Sequence, residues 1–208
     1  MLKKIFSILC MTTVLLLAVN NSASAEGEPK IVVVFESPTG AFSEPEKVHT
    51  LLQDTLKNIL GNMTCEIVPI SETENYVQIY REENNLIASN GAEEGDATTF
   101  YLKKDDLNKI CQYFGGDYII YIRITNTAPK VYVGFFNARQ KVSVVLDFRV
   151  WSDNKKDFSY MKRATATGKS TSILDGIGSS ARALEKGLRK DLQEIEKDKN
   201  KIREALTE

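Results

Sequence analysis

Histidine and tryptophan occur once each in this chain of 208 residues, and cysteine three times. A Ser-His-Asp or Cys-His arrangement would have to be built on His49, which sits beside Val48 on the flank of a predicted helix and reads as a partly exposed helix residue. A zinc site needs three or four ligands, and one histidine with two distant cysteines does not supply them. The sequence therefore predicts no metal, no cofactor and no catalytic residue. Charge of one sign is also missing. With 27 basic and 28 acidic residues the formal net charge is −1, and no segment carries the clustered basic footprint of a nucleic-acid binder. No long apolar run follows residue 25, so no membrane-spanning helix is expected in the rest of the chain.

What is present begins with the leader. Lys3 and Lys4 precede an apolar run from Ile5 to Val19, and Ala23-Ser24-Ala25 supplies the small-x-small pattern of a signal-peptidase site. Residues 1–25 read as a cleaved signal peptide, with the mature chain starting at Glu26 in an exported setting, periplasmic or extracellular. Cys10 follows Leu9 and precedes most of the apolar run, which is not the lipobox arrangement, so it leaves with the signal. Cys65 and Cys111 remain, and an oxidising compartment allows a disulfide between them. The other reading is that both are small buried hydrophobes.

The mature chain divides by periodicity. Ile31 to Phe35 is a continuous β-branched run, the mark of a strand buried on both faces. Val48, Leu52, Leu56 and Ile59 recur at helical spacing before Gly61. Cys65 to Ile70 is a short strand. Ser71 to Glu74 has the capping-box spacing and opens a helix toward Leu86. Asp105 and Asp106 start another, which Gly115-Gly116 stops. From Tyr118 the pattern turns to period two. Strands are predicted at Tyr118–Thr125, Lys130–Phe136, Lys141–Trp151 and Phe158–Thr167, joined by turn residues such as Asn137-Ala138-Arg139-Gln140 and Ser152-Asp153-Asn154. In the longest, Val142, Val144, Leu146, Phe148 and Val150 share one face. Ser172 is placed as the cap of a final helix carrying Ile173, Ile177, Ala181, Leu184, Leu188, Leu192 and Ile195. The order is β-α-β-α-α, an antiparallel meander and a closing helix. It gives one α+β domain over residues 26–195, with helices mainly on one face of a mixed sheet. Residues 196–208 read as a charged, solvated helical tail.

Two segments carry a resemblance. DLNKICQYFGGDYIIYIRIT (106–125) runs a helix through a Gly-Gly-Asp turn into a strand, and VSVVLDFRVWSDNKKDFSYMKRATATG (142–168) gives a long strand, a turn and a returning strand. Together they resemble the envelope module shared by the TolB amino-terminal domain, LpoB and CsgG. The resemblance covers most of the mature chain and implies the same fold. It departs at Arg123-Ile124-Thr125, where the group's strand often ends in glycine. The chain is too short for the TolB propeller and shows no pore-forming strands. What the resemblance implies is an exported, non-enzymatic accessory module that binds another envelope protein.

The residues expected to form that surface lie on the second face of the meander: Tyr121 and Arg123 on one strand, Arg149 and Trp151 on its neighbour, types enriched at interaction hot spots. The competing reading makes Arg123, Asp147 and Arg149 cross-strand ion pairs, or puts a helix over them. A different class of function, small-molecule or glycan binding or a minor hydrolase, would use the cleft from Glu36 to Phe42 beyond the first buried strand. Gly168-Lys169-Ser170-Thr171 lacks the upstream glycine of a P-loop, since Arg163 stands there, and reads as a strand end.

Overall fold

The computed structural model describes residues 28–37, 45–86, 102–134, 137–173 and 179–207. Among the described residues eleven elements follow one another: β1 (Lys30–Glu36), α1 (Pro45–Leu60), β2 (Glu66–Val68), α2 (Ile70–Glu83), α3 (Lys104–Phe114), β3 (Tyr118–Asn126), β4 (Lys130–Val133), β5 (Asn137–Ser152), β6 (Asp157–Ile173), α4 (Ser180–Glu196) and α5 (Lys199–Ala205). The six strands form one mixed sheet. β2, β1 and β3 are parallel, and β5 runs antiparallel to β3, β4 and β6. Because β6 pairs with β5 along its length, β3 and β4 share the other edge of β5, with β4 continuing the line of β3.

The connections decide which face each helix covers. From β1 the chain crosses through α1 to β2 on one side, then through α2 and α3 to β3 on the other. Parallel crossovers are right-handed, so crossings in opposite directions along the sheet put their helices on opposite faces. Accordingly α1 packs Val48, Leu52, Leu56 and Ile59 with Ile31 and Val33, while α2 and α3 pack Val77, Tyr80, Leu107 and Ile110 with Val32 and Val34. β1 is covered on both sides, which is why its apolar run is continuous.

The first face is the larger core. It collects α1, α4 and α5, and the alternating set Val142 to Val150 is fully buried beneath them. Helices thus lie mainly on this face, as expected. The seam between α4 and β6 is tight. A Cβ on Gly168 would lie 1.6 Å from the Ala183 carbonyl oxygen, and one on Gly187 would meet Val144 at 2.4 Å. Two glycines let helix and strand backbones approach here where any side chain would separate them.

Several local expectations are corrected. β6 runs on to Ile173, paired with Asn137, so Ser172 and Ile173 belong to the strand and the predicted turn at Asn137–Gln140 is the start of β5. The last long helix is capped by the Ser179 side chain, which accepts from the Arg182 amide. α2 begins at Ile70 after Pro69 without a side-chain cap. Thr73 instead donates to Val33 O at 2.5 Å and so ties the helix to β1. The segment after Ile195 is no solvated tail: α5 folds back, Ile202 and Leu206 are fully buried, and Arg203 donates to the Ile59 carbonyl. Its charges sit on one side of a short amphipathic turn, and the buried side is only three residues wide.

Cys65 and Cys111 are both free. Cys65 packs against the first core and Cys111 lies within the second, on opposite faces of the sheet, so the disulfide reading is corrected. Burial pushes the Cys111 thiol up to about 12, and the group donates to Gly116 O at 3.1 Å. It is an inert core residue.

Candidate functional site

The second face of the sheet is only partly covered. α2 and α3 lie over β1, β3 and the end of β5, and beyond them no described helix covers the face. The four residues picked from the sequence fall across that border. Tyr121 pairs with Arg149 and Ile119 with Trp151, which puts Tyr121, Arg149 and Trp151 on one face as expected. Arg123 follows on the same face. Yet Tyr121 and Trp151 are each 1% exposed, and Arg123 is buried. They lie in the second core with Tyr80, Leu107 and Ile110, so the aromatic half of the expected surface is under a helix layer. Trp151 meets Phe158 edge-to-face at 5.5 Å, and Arg149 lies over the same ring at 5.4 Å. Of the four, Arg149 alone is partly exposed.

At the border itself one register row carries alternating charge across four strands. Glu36 of β1 pairs with Arg123 of β3, Arg123 with Asp147 of β5, and Asp147 with Arg163 of β6. Opposite charges directly across strands stabilise such a row. Arg163 holds Asp147 through two parallel bonds, Nε to Oδ1 at 2.7 Å and Nη2 to Oδ2 at 3.0 Å, the bidentate geometry of a strong charge-assisted pair. At the inner end, Arg81 from the last turn of α2 donates to Glu36 Oε1, and the Tyr121 hydroxyl donates to Oε2 at 2.6 Å. Burial, and then the Glu36 carboxylate, push the Tyr121 hydroxyl far above its ordinary range. It stays protonated and holds the carboxylate.

β1 is the strand at which the chain order reverses, and its carboxyl end is where an open α/β sheet offers a crevice. Here Glu36 occupies that end with Arg81 and Tyr121 closed over it. Every oxygen of Glu36 and Asp147 already accepts a hydrogen bond, so neither carboxylate stands ready as a general base. Residues 38–42 of the proposed cleft lie outside the described residues. Among the described residues no three His, Cys, Asp or Glu side chains converge as a metal site. His49 is partly buried, with Nε2 3.0 Å from Glu74 Oε1. Gly168–Thr171 lies inside β6, which no P-loop does.

What remains open to solvent is the outer part of the row and its neighbours: Arg149, Met161 and Arg163, with Val145 and Thr165 next to them. Met161 faces Arg149 across β5 and β6 and is 63% exposed. Sequence reasoning passed over Met161 because the strand was read for its buried set. Arg81 carried no local signal at all. The cue was indirect: a carboxylate at the end of a buried strand needs a cation from elsewhere.

No protein-family model matches the chain, and no curated protein matches it either. Among solved structures it is similar to lipoprotein GNA1162 from Neisseria meningitidis, at 14% identity over 85% of this chain and 99% of that one, with a TM-score of 0.35. It is similar to the LpoB carboxy-terminal domain from Salmonella enterica at 12% identity, covering 71% and 90%, TM-score 0.30. A neuraminyllactose-binding hemagglutinin homolog from Helicobacter pylori matches at 11% identity over 88% and 95%, TM-score 0.39. LpoB, one of the proteins of the sequence resemblance, is thus among them. At these scores the likenesses are distant ones of overall shape.

Proposed function

We propose that this chain is an exported, non-enzymatic accessory module of the cell envelope that binds another envelope protein through the open part of its sheet. The observation that carries the reading is the exposed Met161 between Arg149 and Arg163, on the face of β5 and β6 turned away from α4 and α5, where none of the described helices covers it. Methionine and arginine are enriched at protein interfaces, and the charge row, of which Arg163 is the outer member, ties β5 to β6 beside them. The signal-peptide reading supplies the compartment. The carboxylates of the row are held by Arg81, Tyr121 and Arg163, which supports a structural rather than a catalytic use of them.

Crosslinking in the native cell, followed by mass spectrometry, tests this directly. A specific envelope protein should be captured by the exported form and lost from Met161→Asp/Arg149→Glu, with the variant folded by circular dichroism. Capture that ignores those changes removes the open face as the docking surface.

A further inference from the structure

The antiparallel strands extend past the charge row to the end of β4 and the start of β5, and two features meet there. On the uncovered side, Lys130 pairs with Lys141 and Lys141 with Lys169, so three ammonium groups lie in one row across adjacent strands, spaced about 4.8 Å apart at the backbone. The next row outward joins Tyr132, Arg139 and Thr171. Like charges directly opposite one another destabilise a sheet. Here no carboxylate forms an ion pair with any of these four cations among the described residues. Instead the Lys141 ammonium lies 4.8 Å from the centre of the Tyr132 ring. A shallow depression of about 260 Å³ is lined by Tyr132, Val133, Gly134, Arg139 and Lys141.

On the opposite side of the same tip, Val131 and Val133 pair with Gln140 and Ala138 and continue the line of Val142 beyond the helices that bury it. They are 51% and 80% exposed. These strand ends therefore present exposed apolar side chains on one face and cations on the other, within a few residues of each other along β4.

A nucleic acid would use the cations and the ring and leave the valines in water. An acidic protein surface would do the same. A bilayer interface with anionic headgroups offers negative phosphate and, a few ångströms deeper, an apolar layer. We propose that the β4–β5 tip docks on an anionic phospholipid membrane surface. Val131 and Val133 enter the headgroup–acyl boundary, and Lys130, Arg139, Lys141 and Lys169 remain at the phosphate level. Each cation held near such a surface multiplies affinity several-fold, and salt weakens the attraction. The site is separate from the Arg149–Met161–Arg163 patch, so the tip can rest on a membrane while the inner face meets a protein.

Vesicle co-sedimentation of the exported form, with its leader removed, tests the proposal. The protein should bind phosphatidylcholine vesicles containing about one third phosphatidylglycerol and not vesicles of phosphatidylcholine alone. Raising salt should weaken binding. Lys141→Glu/Lys169→Glu should reduce binding at least tenfold, and Val131→Ser/Val133→Ser several-fold. All of these positions are at the surface, and equal urea midpoints confirm that the variants fold. If the charge reversal unfolds the chain, Lys141→Gln/Lys169→Gln serves with the same expectation at a smaller size. Equal binding to neutral vesicles, or anionic binding that survives the charge reversal, overturns the proposal. So does a serine variant that binds as well as the parent while single-stranded DNA competes fully, which would mark a general polyanion site. Met161→Asp/Arg149→Glu should leave vesicle binding unchanged, which separates this proposal from the protein-docking one.

Discussion

The parallel and antiparallel halves of the sheet share β3, and they differ in how many faces a helix covers. In the parallel half, β1 and β3 lie between α1 on one side and α2 and α3 on the other, and Ile31 to Val34 are entirely buried. In the antiparallel half, β5 and β6 bury one face under α4 and α5 and leave the other to solvent beyond the charge row. Polar chemistry follows the difference. Where both faces are covered, a charge must be matched completely, as Glu36 is by Arg81 and Tyr121. Where one face is open, charges can stand in a like-signed row, as Lys130, Lys141 and Lys169 do. The covered half holds the fold, and the open half leaves charged and apolar side chains in solvent.

Truncation on the two sides of the border should break the comparison most visibly. Trp151→Ala removes a fully buried ring from the second core and should cost about 4 kcal/mol by urea denaturation, whereas Met161→Ala, on the open face, should stay within about 0.5 kcal/mol. Similar losses would mean that the outer face is also covered.

The two arginine–carboxylate pairs sharpen it. Arg81→Met leaves the Glu36 charge buried in the covered half, for an expected loss of about 3 kcal/mol. Arg163→Met removes a cation whose side chain is 62% exposed, where solvent screens the pair that is lost. That change should cost about 1 kcal/mol or less. An inverted order of the two would place the critical ion pair in the open half.

A smaller effect is expected at the α4 seam. Asp191 is buried on α4 and accepts a hydrogen bond from the Ala166 amide, while its Oδ2 has no partner among the described residues. Burial raises its carboxyl to about 6, above its unfolded value of about 3.9. The folded state therefore binds the proton more tightly than the unfolded state. The contribution is fully present below about pH 4 and is lost as pH rises through 6. Stability should fall by up to about 2 kcal/mol between pH 4.5 and 7.5 in the parent, and by clearly less in Asp191→Asn. Urea midpoints at the two pH values measure it, and parallel curves for parent and variant would count against a neutral buried Asp191.

Much of the fold was legible from particular residues. The run Ile31–Phe35 announced a doubly covered strand, Gly115 stopped α3 in a left-handed conformation at φ +60°, and the alternation from Val142 to Val150 named the core face of β5. The site was harder to read. Tyr121 and Trp151 were correctly placed on one face, but alternation says that two faces differ and not whether the second is dry. Ile119-Ile120-Tyr121-Ile122 did hold the clue, since an unbroken apolar stretch is the pattern of a strand covered on both sides. The basic row was invisible for another reason. Lys130, Lys141 and Lys169 are far apart in a nearly neutral chain, and they become neighbours only through strand register.

The sequence by itself determined the α+β class, most of the element order and the core face of β5, because periodicity and turn chemistry are local and act within a few residues. Only the tertiary structure decided that α2 and α3 cover Tyr121 and Trp151, that Arg81 meets Glu36, and that the free cations gather at one tip. Those outcomes depend on crossover direction and pairing register, which bring residues together across the chain and leave no local trace.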